Sequence, residues 1–313
     1  MSLPADTEET QPDFSQLTPL ERLTTENIAD ARSKISEFLL SASRPARQDI
    51  DITDTVAGDV PIRVYRPVST TSALPLHLYL HGGAFIFGSA FDGSLDADLA
   101  DRAVAAHCVV VSVEYRLGPE YRFPTGIEDS YAALKALVDE ASDRGIDPNR
   151  VSVGGASAGG NFAAAVALLA KTRREPKIGL QLLEMAGTDL TKTTNAWRNP
   201  LPHHDTTREA DLALIDLYLS SVAERADPLA SPLFHPDLSG VAPAYFVNGE
   251  LDPRRDECEA YATRLQDAGV PVFTKMFEGI GHGGITAQWR AHANTALAAF
   301  HRGELTGVSG WTH

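Results

Sequence analysis

Six short apolar runs separated by stretches of helical spacing predict an α/β chain, with a mostly parallel central sheet and helices on both faces. The runs at 76–80, 108–113, 151–154, 178–185, 244–248 and 270–277 are of strand length and rich in β-branched or apolar residues. Helical stretches at 94–106, 127–144, 158–173, 255–268 and 285–301 fill the intervals. A hairpin precedes them, because 50–56 and 60–66 alternate around Gly58-Asp59. In such sheets ligands bind beyond the carboxyl ends of the strands, so the loops there are the places to look for chemistry.

Two segments stand outside this alternation. Apolar residues at Leu20, Leu23, Ile28, Ala31, Ile35, Phe38 and Leu39 have near-helical spacing, ended by Arg44-Pro45-Ala46. The connection 188–241 is too long for an ordinary crossover and carries an amphipathic helix near 207–222, so it reads as a lid or cap. Paired with the N-terminal helix, it would form a small second layer over the sheet.

Composition excludes several classes of function. At 313 residues the chain can bury a large core without disulfide or metal staples. Its 27 basic and 42 acidic side chains leave a net charge of −15, which argues against nucleic acid and anionic membrane surfaces as partners. The longest apolar run, 162–170, is far short of a membrane span. Residues 1–14 are acidic and lack the apolar core of a secretory signal, so the expected location is cytoplasmic. Cys108 and Cys258 fall in unrelated contexts, which argues against a disulfide framework or a zinc site.

The chemistry is concentrated in glycine-rich loops. Gly155, Ser157 and Gly159 form G-x-S-x-G between the 151–154 strand and an Ala-rich helix. A nucleophile on a tight strand-to-helix turn needs small neighbours, and the helix N-terminus supplies N–H groups for an oxyanion. A dinucleotide site would need G-x-G-x-x-G, which the glycine spacing here does not match. His81-Gly82-Gly83-Ala84 follows the 76–80 strand, so Gly82 and Gly83, with Ala158 from the serine turn, are candidate oxyanion donors. His81 itself reads as a hydrogen-bonding support for that loop.

A serine needs a base and an orienting acid. Among the ten histidines, His282 is the candidate base, because glycines flank it in a loop between the last strand and the last helix. His203 and His204 fall in the insertion, His292 and His301 on the last helix, His77 and His107 at strands, and His313 in the tail. Asp252 follows the 244–248 strand and completes the chain order Ser…Asp…His. Its rivals Glu250, Asp256 and Asp189 read as capping and surface charges.

With these motifs in order, the sequence resembles the bacterial hormone-sensitive-lipase-like esterases of the α/β-hydrolase superfamily. The resemblance spans about 60–300 and rests on HGGAF at 81–85, EYRLGPEYRFP at 114–124, EDSYAAL at 128–134, GGASAGGN at 154–161, GELDPRRDE at 249–257 and the GHG around His282. It implies the α/β-hydrolase fold with a helical cap and a Ser157–Asp252–His282 triad. It also implies oxyanion donors at Gly82, Gly83 and Ala158, and chemistry without cofactor or metal. Four positions depart from the family pattern: Ala84 replaces a third glycine, Ala156 an Asp or Thr, Met185-Ala186 a Tyr-Pro pair, and Gly284 a Phe. None deletes a catalytic group, but all four bear on substrate scope.

The expected organisation is an N-terminal cap segment 1–45, a catalytic domain in two parts (46–187 and 242–313) and a cap insertion 188–241. The expected function is hydrolysis of small to medium soluble carboxylic esters through an acyl-enzyme on Ser157. The same triad on a lactone, amide or carbamate is the alternative, and a non-catalytic ligand-binding protein on a hydrolase fold is a weaker one. The expected partner is a small-molecule ester. Oligomeric state stays open, a homodimer included.

Overall fold

The structure, a computed structural model, describes residues 23–68, 72–199 and 207–305. In chain order its elements are α1 (Ile28–Ala42), β1 (Ile50–Ala57), β2 (Val60–Pro67), β3 (Leu74–Leu80), α2 (Asp96–Ala105), β4 (Val109–Val113), α3 (Thr125–Asp139) and β5 (Ile146–Ala156). There follow α4 (Ala158–Arg173), β6 (Leu180–Glu184), α5 (Asn195–Arg198), α6 (Arg208–Tyr218), β7 (Ala244–Gly249), α7 (Arg255–Asp267), β8 (Val272–Phe277) and α8 (Ala287–His301).

The strands form one eight-stranded sheet in the order β1-β2-β4-β3-β5-β6-β7-β8. The β1–β2 and β2–β4 pairs are antiparallel and all others are parallel. Every residue of β3, β4, β6 and β7 is buried, which is why these strands read as continuous apolar runs. Edge strand β1 exposes most of its residues.

One face of the sheet packs against α3, α4 and α7, and the other against α2 and α8. Trp289 of α8 is fully buried, stacks on Phe277 at 5.1 Å and donates its indole N–H to Glu184 Oε2 at 2.9 Å. Truncating such a ring typically costs about 3–5 kcal/mol.

The chain leaves β3 for β4 on one side and then returns to the other side of β3 for β5. The loops after β3 and β5 therefore diverge, and a crevice opens between their carboxyl ends. Above it α1 and α6 meet: Leu23, Ile28 and Ala31 pack with Leu214 and with Ile86 and Phe87 of the loop after β3. Arg32 fixes α1 there by donating to Ile86 O at 2.7 Å and Gly118 O at 2.6 Å.

Several boundaries differ from expectation. The N-terminal helix begins at Ile28, after a turn at 25–27, and Leu20 lies outside the described residues. Strand β5 starts at Ile146, because Leu74 at the start of β3 pairs with it ahead of the main register. The helix near 207–222 is shorter, starting where the Thr207 side chain accepts from Ala210 N and ending at Tyr218. Helix α5 was not expected; four residues are too few to show a period.

Candidate active site

Ser157 stands between β5 and α4 with φ 56° and ψ −116°, a conformation L-residues rarely adopt. Three main-chain bonds hold it there. Ser157 N donates to Glu184 O at 2.9 Å, while Ser157 O accepts from Asn161 N at 3.1 Å and Gly187 N at 3.3 Å. A Cβ on Gly159 would overlap the Leu80 carbonyl, so the turn can pass this close to β3 only with glycine there. The G-x-S-x-G spacing is therefore a packing requirement that raises the serine above the end of the sheet.

His282 and Asp252 arrive from the loops after β8 and β7. Ser157 Oγ lies 2.9 Å from His282 Nε2, and His282 Nδ1 lies 2.8 Å from Asp252 Oδ2. Asp252 is 2 % exposed and also accepts from Arg254 N at 2.8 Å through Oδ1. Burial opposes its charge, but the nearby imidazole and Arg254 outweigh that and hold the carboxyl below its ordinary range. A buried carboxylate bonded to one imidazole nitrogen leaves the other free to accept the serine proton.

The loop after β3 lies against the same turn. A Cβ on Gly82 would sit 3.8 Å from Ser157 Cβ, so the main chain there borders the serine. Gly83, at φ +124°, turns the chain so tightly that its carbonyl accepts from Ile86 N at 3.1 Å and Phe87 N at 2.8 Å. His81 is buried beneath, with Nδ1 2.8 Å from Gly82 O, and its ring stacks on Tyr115 at 4.2 Å. Tyr115 donates its hydroxyl to His81 O at 2.6 Å. Burial pushes the His81 imidazole below its ordinary pKa, which fits a neutral supporting role.

These loops, with the serine at a strained turn after a parallel strand, form the arrangement of a hydrolase. Residues 77–286 match the family model described as the α/β-hydrolase fold. The chain belongs to that family. The arylesterase of Saccharolobus solfataricus is 34% identical over 81% of this chain and 83% of its own length. Carboxylesterase NlhH of Mycobacterium tuberculosis is 35% identical over 80% of this chain and 76% of its own. The solved structure of a Pyrobaculum calidifontis esterase superposes with a TM-score of 0.80 at 30% identity, covering 93% of this chain and 100% of that one. These relatives put the hydrolase in the hormone-sensitive-lipase-like branch.

The three rival acids of this α/β hydrolase make other contacts. Glu250 accepts from Gly279 N at 2.9 Å and Asp256 from Ala196 N at 2.8 Å, each capping a turn or helix start that the fold brings to it from elsewhere in the chain. Asp189 caps Thr191 N at 2.7 Å but is 1 % exposed, so its reading as a surface charge is corrected: the chain folds over this turn. His203, His204 and His313 lie outside the described residues. Ala84 occupies left-handed backbone at φ 51°, where a glycine would sit without strain. Met185 Sδ accepts from Gly283 N at 3.3 Å, tying β6 to the histidine loop. Among the described residues no three His, Cys, Asp or Glu side chains form a metal-binding group, and no helix is long and apolar enough to cross a membrane.

Sequence reasoning missed a buried ionic cluster beside the serine. Lys192, Asp211 and Arg254 line a small pocket together with Ser157, and all three are nearly buried. Arg254 pairs with Asp211 of α6, and Lys192 Nζ lies 3.4 Å from Asp211 and 3.1 Å from Glu257. Both cations also sit over the Trp197 ring, at 5.0 Å for Lys192 and 5.3 Å for Arg254. Burial pushes the Glu257 carboxyl up to about 7, against the pull of Lys192. Charged side chains in a loop and on an amphipathic helix read as surface; no local pattern separates these from exposed ones.

Proposed function

We propose that this protein is a serine carboxylesterase in which Ser157, His282 and Asp252 form the catalytic triad. The observation that carries the reading is the unbroken hydrogen-bonded line from Ser157 Oγ through His282 to buried Asp252. His282 takes the serine proton as Oγ attacks the ester carbonyl, and Asp252 holds the imidazole and stabilises its cation. The oxyanion is received by the N–H groups of Gly82, Gly83 and Ala158, donors typically worth about 3 kcal/mol each in the transition state. His282 then protonates the leaving alcohol, and water repeats the sequence on the acyl-enzyme. No cofactor is needed at any step.

Supporting this, the arylesterase and carboxylesterase names of the relatives give the same bond class. We take α1 and the described part of the 188–241 insertion, α6 above all, as the cap that covers the crevice. The pocket beside Ser157 has a free volume of ≈ 10 Å³, about the room of one water molecule, and Phe85, Leu214 and Ile215 wall it. That size favours short acyl groups. Cys108 and Cys258 are free and buried, which suits a reducing, cytoplasmic setting.

The test is a series of p-nitrophenyl esters from acetate to dodecanoate beside matched anilides and lactones. The expected result is the highest kcat/KM at acetate to butanoate, with anilides slower by at least about 10²-fold. Turnover of a lactone or anilide with inert esters would overturn the ester assignment.

A further inference from the structure

A buried ion pair joins the cap to the segment that carries Asp252. Asp211, on α6, is 5 % exposed, and its carboxylate pairs with the buried Arg254 guanidinium. Arg254 follows Asp252 by two residues, and its main-chain N–H donates to Asp252 Oδ1 at 2.8 Å. Around the pair stand Lys192, which reaches both Asp211 and Glu257, and buried Asp189, whose charge acts on Glu257.

Among the described residues, Asp211 is the one carboxylate within ion-pair distance of that guanidinium. The next carboxyl groups to act on it are Asp252 and then Glu257. Glu257 is already taken, by Lys192 at 3.1 Å and by the Trp197 indole N–H at 3.1 Å. Without Asp211 the guanidinium keeps its charge, because arginine does not deprotonate in proteins. Its Nη1 already has no hydrogen-bond partner, and Nη2 would lose the one it has. A buried cation stripped of its anion is strongly destabilising, so it draws on the nearest carboxylate left. That carboxylate is Asp252, whose Oδ2 lies 2.8 Å from His282 Nδ1. Guanidinium and imidazolium would then compete for one acid as the serine proton moves.

We propose that Asp211 is a positioning residue: by neutralising Arg254 it leaves the charge of Asp252 to His282, so docking of α6 is a condition of full turnover. Asp211 acts through Arg254 and Asp252, not on the substrate. This rests on the esterase reading above.

The test is a double-mutant cycle on p-nitrophenyl acetate, with folding followed by circular dichroism. Asp211→Asn should lower kcat by about 10- to 100-fold and leave KM within about threefold. Adding Arg254→Met removes the stranded cation, so kcat should rise again by at least about fivefold although the cap contact is still missing. A contact that only holds α6 in place gives no such recovery. A double variant no faster than Asp211→Asn overturns the proposal and leaves the esterase reading intact. So does an Asp211→Asn kcat within about twofold of wild type. If Asp211→Asn does not fold, the double variant is compared with wild type directly. A folded double variant within about tenfold of the wild-type kcat then supports the proposal, and a slower or unfolded one overturns it. If wild type does not hydrolyse p-nitrophenyl esters at all, the esterase reading fails first and this one with it.

Discussion

Ser152 and Ser157 both lie within hydrogen-bond reach of an imidazole. Ser157 Oγ is 2.9 Å from His282 Nε2; Ser152 Oγ is 3.3 Å from His301 Nε2 and 3.0 Å from His77 Nδ1. Around Ser152 everything else is different. It is fully buried in the regular part of β5, and its hydroxyl is committed to Leu76 O at 3.1 Å. Neither imidazole there bonds to a carboxylate: His301 Nδ1 lies 3.4 Å from Ala106 O, and His77 Nε2 has no partner. Burial pushes both imidazoles below their ordinary pKa, His301 to about 4. The Ser157 site adds the strained turn, the buried acid, the bordering glycine loop and a pocket. Contact between a hydroxyl and an imidazole does not make a nucleophile; the acid that orients the base and the room for a substrate do.

That contrast can be broken most decisively by alanine at each serine. Ser157→Ala should lower kcat/KM on p-nitrophenyl acetate by about 10⁴-fold or more with the circular dichroism unchanged. Ser152→Ala should stay within about twofold of wild type, and a large loss there would put the wrong serine at the centre. The next effect concerns the acid. Asp252→Asn should lower kcat by about 10³- to 10⁴-fold, because the amide favours the wrong imidazole tautomer. Activity within tenfold of wild type would remove Asp252 from the triad.

A third effect is on stability. His301 has a depressed pKa in the folded protein, so above about pH 6.5 it is neutral whether folded or not and its full contribution is present. As pH falls from 6.5 towards 4, only the unfolded chain takes up the proton, and roughly 3 kcal/mol is lost. His301→Phe should therefore lose less stability than wild type between pH 7 and pH 4 in urea titrations. Parallel pH profiles would contradict the burial argument. The smallest effect is the stability of Ser152→Ala itself, which should fall by about 1 kcal/mol for its hydroxyl bonds. An unchanged urea midpoint would show that those bonds contribute nothing net.

Much of the fold was legible in the sequence. The fully buried strands read as apolar runs because both faces of the sheet are covered, and α4 matched at both ends because glycine turn and small residues mark its start so clearly. The loops carrying Ser157, Asp252 and His282 follow from those strands, since parallel strands bring their carboxyl ends to one edge. What escaped was side-chain direction. Asp211 lies on a helix whose amphipathic pattern was visible, yet it points inward to Arg254 and Lys192, partners distant in sequence. The Arg102–Glu184 pair, at 2.7 Å beneath the sheet, escaped for the same reason. Buried ion pairs between distant segments leave no periodic trace, so the walls of the pocket became visible only with the tertiary structure.

The central claim is that Ser157, and not Ser152, is the nucleophile. Incubation of the native protein with a fluorophosphonate, followed by peptide mass spectrometry, addresses it directly. One covalent adduct is expected, on the peptide containing Ser157 and localised to that residue, and none on Asp252→Asn treated for the same short time. An adduct on Ser152, or no adduct on a folded protein that still hydrolyses esters, would contradict it.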